Sequence, residues 1–168
     1  MLKEILDQPE SALNCLRDQI SASDAKWKLE SPFELKFLDS LNRVILLGVG
    51  TSLYAAQIGA RFIEQDCKIP ATAENAAEFR HRNPVVDSST LVISVGQSGE
   101  TADTLGATII AKSLGAMTLA VCNVDGSQVT RIADKSLLMH AGLEVSVPST
   151  KTFTNSVISL RLLSLRIA

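Results

Sequence analysis

Cysteine is scarce in this chain. Cys15, Cys67 and Cys122 lie far apart, with no C-x-x-C pair among them. An odd number so spaced argues against a disulfide framework or a zinc knuckle and fits reduced thiols in a cytoplasmic protein. No run of 18 apolar residues occurs, and the opening "MLKEILDQPE" mixes charged and apolar side chains from its start. It therefore reads neither as a membrane span nor as a secretory signal. Positive charge is not in excess: 16 Lys and Arg against 18 Asp and Glu leave a formal −2. Nothing marks a surface for nucleic acid or an anionic membrane. Internal repeats and low-complexity linkers are missing too. What remains, 168 residues of which 46% are hydrophobic and 20% charged, fits one soluble globular domain.

Hydrophobic patterning predicts alternating strands and helices. Asp7, Pro9 and Glu10 form a helix-start pattern, and Leu13, Leu16 and Ile20 follow at helical spacing. "RVILLG" (43–48) reads as a strand covered on both faces, and "TSLYAAQIGARFIEQ" (51–65) as a helix. A short strand fits within "CKIPATAE". The rhythm then repeats through strand 89–96, helix 100–115 stopped by Gly115, strand 116–123, a short helix 127–133 and a strand 135–141. "STKTFTNSVISLRLLSLRIA" closes the chain as a long apolar helix. Such alternation implies a doubly wound α/β domain, its parallel sheet covered by helices on both faces.

In that architecture ligands bind beyond the carboxyl ends of the strands, near a switch in strand order. Three strand-to-helix corners should meet there: "GVGTS", "SVGQSGET" and "VPSTKTFT". Each puts small hydroxyl residues at a helix start, where unpaired N–H groups and the helix dipole favour an anion, phosphate above all. Thr51, Ser98 and Ser149 are also ordinary helix caps when taken singly. A Walker loop is excluded because the chain has no Gly-Lys pair. "GVGTSL" has the first two glycines of a dinucleotide fingerprint but Leu53 at the third, and Glu74 could serve as its ribose-binding acid. A small monophosphate suits hydroxyl-rich corners better, and the reading calls for no metal and no cofactor.

The motifs "GVGTS", "GQSGETADTL", "CNVDGS" and "VPSTKTFT", in that order, resemble the first sugar isomerase (SIS) domain of the glucosamine-6-phosphate synthase family and related phosphosugar isomerases. The opening "MLKEILDQPE" is similar to the start of that family's isomerase half. The resemblance implies a flavodoxin-like SIS fold: a three-layer α/β/α sandwich on a five-stranded parallel sheet. It divides the chain into an N-terminal helical segment, 1–40, and an SIS domain, 41–168. It implies a hexose 6-phosphate ligand, fructose 6-phosphate or glucosamine 6-phosphate. Ser98 and Thr101, with the amides around Gln97 and Gly99, would cradle the phosphate. Thr51, Ser52 and Gln97 would add contacts, Val147 and Ser149 would line the sugar, and Lys151 would balance the charge. Gly96 stands where the family usually has serine, which removes one hydroxyl.

By the same resemblance, the family's isomerisation base, ring-opening histidine and sugar-contacting lysine lie in a second SIS domain, and the glutaminase that supplies ammonia is a separate N-terminal part; neither is expected in this chain. Within the chain, Glu144 and His140 in "MHAGLEV" are candidate proton-transfer groups, followed by Glu78 and His81. The competing reading makes Glu144, His140 and Glu100 capping or solvated groups. Val157, Ile158, Leu160, Leu162, Leu163 and Leu165 would give the last helix a face to bury in a homodimer or against a second SIS domain. A sugar-phosphate sensor and a nucleotide-binding domain are the alternative functions.

Overall fold

The computed structural model describes residues 1–23, 26–28 and 31–168. Two helices open it, α1 (Leu2–Leu6) and α2 (Gln8–Gln19), followed by an antiparallel strand pair, β1 (Ser21–Ser23) with β2 (Lys26–Lys28), and helix α3 (Leu35–Ser40). The segment 1–40, read as helical, thus carries this strand pair between α2 and α3. Residues 24, 25, 29 and 30 of that segment lie outside the described residues.

The remaining chain alternates as its pattern foretold. It runs through β3 (Arg43–Gly48), α4 (Thr51–Cys67), β4 (Ala71–Asn75), α5 (Ala76–Phe79), β5 (Thr90–Val95) and α6 (Ala102–Ser113). Then come β6 (Met117–Cys122), α7 (Gln128–Ile132), β7 (Lys135–Leu138) and α8 (Lys151–Ile167). The five long-range strands form one parallel sheet in the order β4-β3-β5-β6-β7. Its strand order therefore reverses between β3 and β5, whose carboxyl ends become the natural ligand edge.

Side-chain alternation along the strands builds the layers. Val44, Leu46, Leu91, Ile93, Leu119 and Val121 point to one face and pack with Ala56 and Ile63 of α4 and Leu160 and Leu163 of α8. Ile45, Leu47 and Val92 point to the other, against Phe79 of α5 and Ala107 and Ala111 of α6. Continuous aliphatic runs are needed because both faces are dry. The outcome is an α/β/α sandwich.

One expectation is corrected here. Leu13 is half exposed, and α2 instead buries Ser11, Cys15 and Gln19. That stripe lies on α8: Asn155 Nδ2 donates to the Ser11 carbonyl (3.1 Å) and hydroxyl (3.0 Å), and Gln19 Nε2 donates to Ser159 Oγ at 2.7 Å. Small and amide side chains let the helices approach and pair polar groups that would otherwise be costly to bury. Apolar spacing alone pointed to the wrong face. The same seam bears on the last helix: covered by α2 and packed on α4, α8 buries much of the apolar face read from its sequence within the chain itself. Leu160, Leu162 and Leu163 are buried in the chain's own core, Val157 packs against it, and Leu165 alone of the six is exposed.

The three thiols are free, with Cys15 and Cys122 buried and Cys67 half-buried. Burial raises all three, Cys67 to about 11. Among the described residues no helix is long and apolar enough to cross a membrane, and no cluster has the ligands for a metal ion.

Candidate functional site

At the first corner, β3 runs into α4 through Gly48, Val49 and Gly50. A Cβ on Gly48 would stand 2.6 Å from the Leu53 amide nitrogen, so the helix start can sit tight against the strand end only because that Cβ is missing. Gly50 turns the chain at φ +58°, and its carbonyl accepts from Leu53 N at 3.1 Å. Thr51 and Ser52 occupy the first turn, where helical amides have no partner within the helix.

The second corner joins β5 to α6. Gly96 N donates to Val121 O at 3.0 Å, so this amide is spent on the sheet and cannot replace the hydroxyl absent at that position. Gly99 has φ +70°, and a Cβ there would come within 2.2 Å of Ser127 Oγ. Its carbonyl accepts from Val129 N at 3.1 Å, which pins the loop to the start of α7. Glu100 also faces α7, its carboxylate accepting the Gln128 amide at 2.9 Å. That leaves Ser98, whose hydroxyl accepts from Glu100 N at 3.2 Å, and Thr101, the N-cap residue of α6.

The third corner behaves differently. Residues 139–150 have no regular structure, and the buried carboxylate of Glu144 already fills the start of α8. It accepts from Thr150 N (2.9 Å), Thr150 Oγ1 (2.9 Å), Lys151 N (3.0 Å) and the Thr152 hydroxyl. Lys151 is buried and turned away, its ammonium 3.7 Å from Asp7 Oδ2. The loop is held by Gln97, whose amide donates to Glu144 O at 2.7 Å, and by Glu4 of α1. Glu4 accepts from the amides of Val145 (2.7 Å) and Ser146 (3.2 Å) and from the Ser146 hydroxyl. That hydroxyl, followed by the Val145 amide, pushes the Glu4 carboxyl down to about 2.

These corners enclose a cleft of about 460 Å³. Thr51, Ser52, Gln97, Ser98, Thr101, Val147 and Ser149, all proposed from sequence, line it together. Gly99 stands behind the loop, and Lys151 opens instead into a separate cavity with Asp7 and His140. Among the described residues, no lysine, arginine or histidine lines the cleft. Sequence reading missed Thr104, one helical turn beyond Thr101, and the wall residues Val145 and Ser146. The i, i+3 spacing of Thr101 and Thr104 was the available signal for the first.

The proton-transfer candidates do not assemble. Glu144 reaches the cleft, but its oxygens are taken by the start of α8. His140 Nε2 lies 3.0 Å from Asp18 Oδ2, outside the cleft. Glu78 and His81 are exposed and do not line it. Glu74, the conceivable ribose acid, pairs with Arg82.

A family model described as the SIS domain matches residues 37–166. The glutamine–fructose-6-phosphate aminotransferase (isomerizing) of Bacteroides thetaiotaomicron is 42% identical over 169 residues, a match to the whole chain and to 28% of that protein. Its counterpart in Chlorobaculum tepidum is 41% identical, with the same coverage. Among solved structures, the C-terminal domain of glucosamine-fructose-6-phosphate aminotransferase from Francisella tularensis superimposes with a TM-score of 0.91 at 33% identity, covering 99% of this chain and 46% of that one. The chain thus spans about a quarter of the length of the curated relatives it matches.

Proposed function

The chain belongs to the SIS domain family, and from that premise we propose that its cleft binds a hexose 6-phosphate, fructose 6-phosphate or glucosamine 6-phosphate, as half of a phosphosugar isomerase site. The observation that carries this reading is the convergence of two open helix starts on one cleft with no cation among the described residues of its lining. Phosphate would sit at the α4 and α6 corners, held by the hydroxyls of Ser52, Ser98 and Thr101 and by the amides around them. Val147 and Ser149 would face the sugar.

Moving a proton between C1 and C2 of the sugar needs a free base and an acid to open the ring. Among the described residues, the one carboxylate lining the cleft, Glu144, is engaged by donors from Thr150 to Thr152. In this proposal the base is therefore supplied by a second SIS domain or a second copy of the chain, and the residues present here bind and orient. The same observation favours a second reading, a cytoplasmic sugar-phosphate sensor that binds without turnover. Hydrogen bonds to a charged group contribute about 1.5–3 kcal/mol each, offset by desolvation and ordering. A half-site is thus expected at a Kd between about 1 mM and tens of micromolar.

Amide NMR titration with fructose 6-phosphate and glucosamine 6-phosphate, against fructose and NAD as controls, tests the reading. Selective shifts from Gln97 to Thr101 and at Ser52 and Ser149 are expected. Shifts with NAD and none with the sugar phosphates would overturn it in favour of nucleotide binding. Light scattering addresses the partner: a clean monomer would remove the second copy from the proposal.

A further inference from the structure

We propose that Glu4 is a positioning residue for the sugar-facing wall of the cleft, a role that rests on the phosphosugar reading above. The wall is a stretch of irregular chain whose exposed residues have little packing to hold them: Val145 is 77% and Val147 92% exposed. Backbone ties must therefore set its shape. Asn123 provides two at the near end, Nδ2 to Gly142 O and Oδ1 from Ala141 N, both 2.7 Å. Gln97 and Glu144 provide those at the middle and far end. Each of these three side chains belongs to the sheet domain.

Glu4 does not. It reaches the wall from α1, 141 residues away in sequence, and grips the two residues that line the cleft between Glu144 and Val147. Four donors converge on its carboxylate, the Met1 ammonium at 2.9 Å, the Ser146 hydroxyl and two main-chain amides, so the backbone itself is held and not merely a side chain. Charge-assisted bonds of this kind are shorter and stronger than neutral ones. In the other direction, α1 is a five-residue helix with Leu2 72% and Leu6 69% exposed. Little apolar burial fixes it, so the Glu4 contacts tie helix and wall into one unit. Where α1 stands decides where Val145, Ser146 and Val147 stand.

The phosphate corners take no part in this tie, and that separates the inference from a general structural role. Affinities of the whole chain for fructose 6-phosphate and for inorganic phosphate are to be measured side by side, in wild type, Glu4→Gln and Ser146→Ala. Glu4→Gln is expected to weaken fructose 6-phosphate about tenfold, the scale of one lost charged hydrogen bond, while inorganic phosphate changes less than about twofold. Ser146→Ala is expected to act in the same direction and more weakly, and adding it to Glu4→Gln should cost little more, since the two side chains share one interaction. Equal weakening of both ligands would make Glu4 a general structural residue and overturn the inference, as would unchanged binding of both. A wild-type chain that binds phosphate but not fructose 6-phosphate would refute the proposed function itself.

Discussion

The starts of α6 and α8 are similar in composition and opposite in use. Both follow a strand by way of a loop, and both carry serine and threonine where unpaired amides gather. At α6 those groups face the cleft, with Ser98 and Thr101 along its lining. At α8 the chain has already supplied the anion: Glu144 occupies the helix start and takes the amides of Thr150 and Lys151. A helix start is a place for a ligand only where the protein has not filled it first. The third corner accordingly gives the cleft a wall, with two corners left to hold the phosphate.

The largest expected effect comes from emptying the filled start. Glu144→Ala leaves three amides and two hydroxyls without their acceptor, a loss of about 3 kcal/mol on the scale of buried charged hydrogen bonds. Urea unfolding should show a lower midpoint at unchanged slope. Added phosphate should restore part of the loss by taking the vacated place; a variant as stable as wild type would abolish the contrast between the helices. Next comes Gly99→Ala at the open start. Its φ of +70° and the 2.2 Å approach to Ser127 Oγ predict a cost of about 2 kcal/mol, with sugar-phosphate binding falling alongside in calorimetry.

Gly96→Ser probes the same corner in the favourable direction. A Cβ at Gly96 meets nothing within 4 Å, so the hydroxyl usual in the family can be added without strain. About fivefold tighter binding is expected after desolvation is deducted from a charged hydrogen bond, and weaker binding would place the phosphate elsewhere. The smallest effect belongs to pH. Since Glu4 is held at about 2 against an ordinary 4.5, its stabilising contribution is complete above 4.5 and fades as pH falls toward 2. The gap in thermal midpoint between wild type and Glu4→Gln should therefore be constant at neutral pH and close on acidification; a gap that widens there contradicts the sign.

Patterns with a single physical reading were legible in the sequence. "RVILLG" and "TLVISV" are mostly aliphatic because both faces of their strands are covered, and the glycines at 48, 50 and 99 mark turns and close approaches. Seven of the proposed site residues meet in one cleft on that basis. Legibility failed wherever a polar side chain had two plausible partners. Leu13, Leu16 and Ile20 marked the apolar side of α2, yet Ser11, Cys15 and Gln19 are the residues it buries on α8. Lys151 looked like a phosphate partner and turns toward Asp7. Glu4 gave no sign of its target, because a contact across 141 residues leaves no local spacing to read.

One property of the cleft reaches beyond its shape. Among the described residues its lining has neither lysine nor arginine, so a bound phosphate would be met there by dipoles and hydroxyls at contact distance. Mobile ions screen fields that extend over a Debye length, about 10 Å at 0.1 M salt, and touch short-range hydrogen bonds far less. Occupancy should then follow the concentration of the sugar phosphate and stay nearly indifferent to the electrolyte around it. A cation-based pocket, by contrast, would lose its ligand as the ionic strength rises.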